Sequence, residues 1–145
     1  LAVTLFNLTF NKRFDYDQND NGIYFDIELI ADNDNPVSVR AKLDTGADYC
    51  IFQRIYADFL DLEVENGIEM PFLTATNNGF TAFGHEINIR FFDIEFTTTV
   101  YFVADENFRV SVLGRNGFFN QFIIGLIDQE QLLFIDSLEN YYQTL

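Results

Sequence analysis

Alternation with a period of two dominates the first third of the chain, and it decides which architectures remain open. From Ile23 to Ile30 the sequence places Phe25, Ile27 and Leu29 on one face and Tyr24, Asp26 and Glu28 on the other. Val37 to Leu43 alternates in the same way. A helix would spread such residues around its circumference, whereas a strand gathers them on one side of a sheet. Further strands are expected at residues 49–52, 70–76, 80–83, 87–92, 94–104, 110–113, 123–127 and 132–135, where β-branched and aromatic residues recur. Residues 53–60 read as a short amphipathic helix, and a second short helix is expected over residues 116–122. Pro36 and Pro71 fall at segment edges, where they remove no central ladder bond. The expected fold class is all-β, a barrel or folded sheet with one or two short helices.

Length limits this to one domain, since 145 residues fill a single core but not two well-packed lobes. With 48% apolar residues and 18 phenylalanines the chain can bury that core, and core filling is the expected role of most of the Phe. A net charge of −15 disfavours nucleic acid and anionic membrane as partners. It also repels a second copy, so self-association should favour salt or mildly acidic pH. Cys50 is the only cysteine, which excludes an internal disulfide and fits a buried thiol in a reducing, cytoplasmic setting. No run is long enough for a membrane-spanning helix, and residues 1–10 lack a basic segment leading into an apolar one. The sequon Asn7-Leu8-Thr9 is read as chance.

Three chemical patterns are set aside. Asp17, Asn19, Asn21, Gly22 and Glu28 match the calcium-loop spacing, but that loop needs flanking helices and a strand follows here. At about 3.3 Å per residue, the strand would carry Glu28 roughly 20 Å from Gly22. Residues 20–22 are better read as a polar turn, and no metal is expected. His85 has no Cys or second His for a zinc set and is expected to be a surface or hydrogen-bonded residue. Ser38, Ser111 and Ser137 lack a nucleophile-elbow setting.

Asp44-Thr45-Gly46 remains. An apolar strand leads into it, Gly46 and Ala47 are small enough to admit a ligand to the backbone, and another apolar strand follows. Downstream, Leu113-Gly114-Arg115-Asn116 forms a second element, apolar-Gly-Arg-Asn. Between the two lies a hairpin signal at Asn77-Asn78-Gly79.

In this order the elements resemble the retropepsins, the single-domain retroviral-type aspartic proteases, and more narrowly their bacterial relatives. The resemblance spans residues 37–135, with residues 1–36 as N-terminal strands or extension and 136–145 as a C-terminal tail. It implies an acid-protease fold of a single lobe, active as a homodimer on a peptide or protein substrate without a cofactor. Asp44 would be one carboxylate of the catalytic dyad, Thr45 would bond across the two-fold axis, and the Gly46 carbonyl would accept from substrate backbone. Ala47 and Asp48 would line the substrate, with Asp48 also pairing bidentately with Arg115, supported by Gly114. Thr76, Asn77, Asn78, Gly79 and Phe80 would form the flap over the substrate. Ala47 cannot donate a hydroxyl to the dyad as a serine could, which implies a pH optimum of roughly 5 to 6. The alternative is a catalytically weak or inactive module of the same fold that binds peptide or dimerises.

Overall fold

The half-buried strands form where alternation predicts them, and their partners come from distant parts of the sequence. A computed structural model of the chain describes residues 5–143. In chain order its strands are β1 (Lys12–Asp15), β2 (Tyr24–Ile30), β3 (Val37–Leu43), β4 (Ile51–Phe52) and β5 (Ile68–Leu73). They continue with β6 (Gly79–Phe91), β7 (Ile94–Val103), β8 (Ser111–Leu113), β9 (Phe122–Ile127) and β10 (Leu132–Ser137). The helices are α1 (Arg54–Phe59) and α2 (Leu138–Gln143), with single 3-10 turns at Val64–Asn66, Phe119–Gln121 and Asp128–Glu130. None of these helices is long and apolar enough to cross a membrane.

Seven strands form one sheet in the order β2-β3-β8-β4-β7-β6-β5, and an extra β2–β6 pairing curls it back on itself. Within it β3 runs parallel to β8 and β4 parallel to β7. The remaining strands form a second sheet, β1-β10-β9. Phe25, Ile27 and Leu29 of β2 point into the core as the alternation requires, each essentially inaccessible. Burying a side chain of this size contributes about 1.5–3 kcal/mol.

Phenylalanine fills the space between the sheets. Phe25 packs on Phe14 and Phe91 at 4.7 and 4.5 Å between ring centroids, and Phe118 on Phe122 at 5.0 Å. Cys50 sits in this core, and burial pushes its thiol up to about 12, against a smaller opposing effect of a backbone hydrogen bond from Gly114. Native protein is therefore expected to react with an alkylating thiol reagent at pH 8 at least ~100-fold more slowly than denatured protein. Comparable labelling rates in the two states would contradict the burial.

Four expectations are corrected. Residues 80–83 and 87–92 are not separate strands but one 13-residue strand, held by unbroken pairing with β7 from Ala82↔Val103 to Phe91↔Ile94. The helix expected over residues 116–122 shrinks to the 3-10 turn Phe119–Gln121, because Gly117 takes φ +108° and interrupts helical geometry. The strand expected over residues 49–52 is reduced to Ile51–Phe52, with an isolated bridge from Tyr49 to Asn116. The C-terminal segment, expected as a tail, completes β10 and folds into α2. Of the expected N-terminal extension, residues 1–4 lie outside the described residues, as do residues 144–145 of the tail.

Residues of the calcium-like spacing and His85 have ordinary structural roles. Glu28 of the calcium-like spacing accepts from the Arg90 guanidinium at 2.9 Å, and Asp20 pairs with Arg40. His85 is hydrogen-bonded through Nε2 to the Val64 carbonyl at 2.8 Å, tying β6 to the turn before β5.

Candidate active site

β3 ends at Leu43 because the chain must turn there. The Leu43 N–H still reaches the Ile23 carbonyl at 2.7 Å, and the next N–H, of Asp44, donates to the Leu113 carbonyl at 3.0 Å. Asp44 thus leaves the sheet while fixed to the end of β8. The Ala47 N–H donates back to the Asp44 carbonyl at 3.2 Å, closing the turn. On the side-chain side, Asp44 Oδ1 accepts the Gly46 N–H at 2.9 Å, which aims the carboxylate. Asp44 is half-buried, and Thr45, Gly46 and Asp48 are exposed.

The second element is locked to this loop by backbone. The Arg115 N–H donates to the Ala47 carbonyl at 2.9 Å, and the Asn116 N–H to the Asp48 carbonyl at 2.8 Å. Asn116 Nδ2 donates to the same Asp48 carbonyl at 2.9 Å. Gly114 permits the approach: a Cβ there would lie 2.2 Å from the Tyr49 carbonyl oxygen and 2.8 Å from that of Ala47.

The structure thus brings Asp44, Thr45, Gly46, Ala47, Asp48, Gly114 and Arg115 together, but the expected ion pair is replaced. Among the described residues Asp48 and Arg115 make no salt bridge in the single chain. Both side chains are exposed, where an ion pair contributes little, and backbone hydrogen bonds provide the connection instead. Thr45 makes no side-chain hydrogen bond among the described residues.

The flap candidate is the β5–β6 hairpin. Its turn spans residues 74–78, longer than the two-residue turn that Asn-Gly suggests, and the left-handed residue is Asn77 at φ +63°. Thr74, Thr76 and Asn78 bond to one another, bracing the tip. Behind the tip, Phe80 stacks on Phe72 at 5.3 Å, and Phe72 meets Tyr49 edge-on at 5.8 Å. The chain just past Asp48 is thereby joined to the flap by aromatic contact.

Leu113, Asn116 and Tyr49 enter the site beyond the residues assigned from sequence. Asn116 was legible as part of the second motif element, whereas the Leu113 carbonyl acts through backbone and leaves no side-chain signal. A recess of about 220 Å³ adjoins this region, walled by Tyr49, Tyr101, Thr99, Asn116 and Gln121. A larger recess of about 640 Å³ lies along β2, β6 and β7 and contains no residue of the Asp44 loop.

One curled sheet with an aspartate turn at the end of β3, locked to a Leu-Gly-Arg-Asn segment and joined through Tyr49 and Phe72 to a hairpin, is a retropepsin-like fold. Solved structures agree. A retropepsin-like aspartic protease from Rickettsia conorii superposes over 86% of this chain and 97% of its own, with TM-score 0.61 and 19% identity. The EIAV protease, in complex with an inhibitor, superposes over 68% of this chain and 86% of its own, with TM-score 0.50 and 18% identity. No protein-family model and no curated protein sequence matches the chain.

Proposed function

We propose that the chain is an aspartic endopeptidase that acts as a homodimer, with one Asp44 contributed by each copy. The observation that carries this reading is the Asp44 turn, whose carboxylate is aimed by the Gly46 N–H and whose backbone is fixed to Leu113. One chain has one such turn, and water-activating chemistry of this kind uses two carboxylates. Two of them about 3 Å apart cannot both ionise easily, so the pair holds one proton. The ionised member takes a proton from a bound water, which attacks the scissile carbonyl, and the protonated member hydrogen-bonds the developing oxyanion. The chemistry requires no cofactor.

In this reading the exposed Thr45 bonds across the two-fold axis, and the exposed Gly46 and Asp48 meet substrate backbone; their exposure supports these roles. The flap at Thr76–Phe80 closes from above and excludes water. Aromatic walls at Tyr49, Phe72 and Tyr101 favour cleavage between large apolar side chains. A cytoplasmic setting is part of the proposal, since Cys50 is a buried free thiol.

A dilution series on an unstructured protein substrate near pH 5.5 tests the reading. Specific activity should fall in proportion to concentration once the protein is diluted below its dimer dissociation constant, as a shared site requires. Constant specific activity through dissociation would refute a shared site, and dimeric protein without hydrolysis would leave the binding-module reading in its place.

A further inference from the structure

We propose that Asn78-Gly79, at the turn of the β5–β6 hairpin, is a self-modification site that closes to a succinimide and opens to aspartate or isoaspartate. Four of the eight glycines follow an asparagine, at Asn21-Gly22, Asn66-Gly67, Asn78-Gly79 and Asn116-Gly117. Each pair carries the same latent chemistry. The Gly nitrogen, once it has lost its proton, can attack the preceding side-chain amide, because glycine has no Cβ to obstruct the approach. The fold decides which Gly N–H is free to do so.

Three of the four pairs are held. The Gly67 N–H donates to the Val64 carbonyl at 3.1 Å. The Gly117 N–H donates to Asn120 Oδ1 at 3.2 Å, and Asn116 Nδ2 is tied to the Asp48 carbonyl at 2.9 Å. Asn21 Oδ1 accepts the Tyr24 hydroxyl at 2.6 Å, which fixes the side-chain amide. The Lys42 methylenes also cover Gly22 so closely that a Cβ there would lie 2.6 Å from Cε. A pair held in this way must open locally before it can react.

Asn78-Gly79 differs at both reacting ends. The Thr74 N–H donates to the Asn78 carbonyl at 2.9 Å, so the next pair of the ladder, Leu73↔Gly79, is a non-hydrogen-bonded one. The Gly79 N–H therefore faces away from β5, and β7 reaches β6 no nearer than Thr81. Both Asn78 and Gly79 are exposed, so water and hydroxide reach them. Asn78 Nδ2, the group that leaves, donates to Thr76 Oγ1 at 3.1 Å, which lies 3.0 Å from Thr74 Oγ1. In the reaction the Gly79 nitrogen gives its proton to hydroxide and bonds to Asn78 Cγ. The Cγ–Nδ2 bond breaks, Nδ2 takes a proton from the Thr76 hydroxyl, which water restores, and ammonia departs. Water then opens the ring at either carbonyl, and each product adds a negative charge to the turn. Opening at the backbone carbonyl turns the acceptor of the Thr74 N–H into a free carboxylate and lengthens the main chain by a methylene. On the protease reading this turn is the flap tip, so conversion lowers activity; that consequence alone rests on the reading.

The test is peptide mapping by mass spectrometry while the native chain is incubated at mildly alkaline pH. Asn78 should convert to aspartate and isoaspartate at least ~5-fold faster than Asn21, Asn66 or Asn116, the factor that one net hydrogen bond supplies. In urea-unfolded protein the four rates should agree within about twofold, since the fold no longer separates them. Asn78 level with or slower than any other pair in native protein overturns the inference, and so does the same ranking by the same ratio after unfolding. Thr76→Val should slow conversion at Asn78 by ~3-fold or more and leave the other three pairs unchanged, and a wild-type rate in that variant overturns the hydroxyl's part. On an unstructured protein substrate, wild type should lose activity in step with conversion at Asn78, while Asn78→Gln keeps its own starting activity through the incubation. Conversion in a wild type that hydrolyses nothing leaves the modification standing and refutes the protease reading; hydrolysis with Asn78 intact throughout does the reverse.

Discussion

Asp44→Asn is expected to lower peptide hydrolysis by at least ~10³-fold while leaving the fold and the dimer in place. The change is close to isosteric. The amide oxygen can still accept the Gly46 N–H that Oδ1 now accepts at 2.9 Å, and the backbone bond from the Asp44 N–H to Leu113 is untouched. On the proposed mechanism the variant loses only the ability to take a proton from water and hold one against an oxyanion. Circular dichroism should match wild type, and the melting temperature should stay within about 3 °C, as for a half-exposed substitution that breaks no buried contact. Mixing sharpens the test. If equal amounts of variant and wild type exchange subunits freely, only one dimer in four carries two Asp44 carboxylates, so activity at fixed total concentration should fall to about a quarter. Independent sites would leave about half. A value near half, or a variant retaining a tenth of the activity, would mean that Asp44 does not act in a shared dyad.

Much of this is legible in the sequence alone, and the reason differs from element to element. β2 and β3 could be read because a sheet buried on one face writes its burial into the sequence as alternation. The Asp44 turn and the Leu113–Asn116 segment could be read because each needs particular residue types. What stayed hidden depends on partners far along the chain. β1 is short and charged, with no strand pattern of its own, and exists because Lys12 to Asp15 pair with Ile135 to Leu132. The long β6 likewise persists through Gly84-His85-Glu86 because β7 runs unbroken beside it, with β5 reaching as far as Gly84 on the other side. The Asp48–Arg115 pair failed for a different reason: the motif requires the two segments to be joined, and backbone groups, invisible in a sequence, join them.

The glycines near Asp44 allow that division between joining and chemistry to be measured. Gly114→Ala is expected to destabilise the protein by roughly 3 kcal/mol or more, a fall in melting temperature of about 10 °C. Its Cβ would sit 2.2 Å from the Tyr49 carbonyl oxygen, 2.5 Å from the Tyr49 carbonyl carbon and 2.8 Å from the Ala47 carbonyl oxygen. All three are backbone atoms, so no side chain can swing aside. Relief requires the Leu113–Asn116 segment to separate from the Asp44 loop, breaking the Arg115-to-Ala47 and Asn116-to-Asp48 hydrogen bonds that join them. Gly46→Ala differs in kind. Among the described residues the only neighbour of its added Cβ is Asp44 Oδ1 at 3.2 Å, and the backbone there needs no left-handed conformation. That substitution should melt within about 3 °C of wild type yet lose activity by ~10-fold or more, because on the proposed mechanism the displaced atom belongs to the carboxylate that meets its counterpart from the second copy. If Gly114→Ala folds with unchanged stability, the close backbone approach between the two elements is wrong. If Gly46→Ala loses stability and activity together, the turn is a structural support before it is a catalytic one.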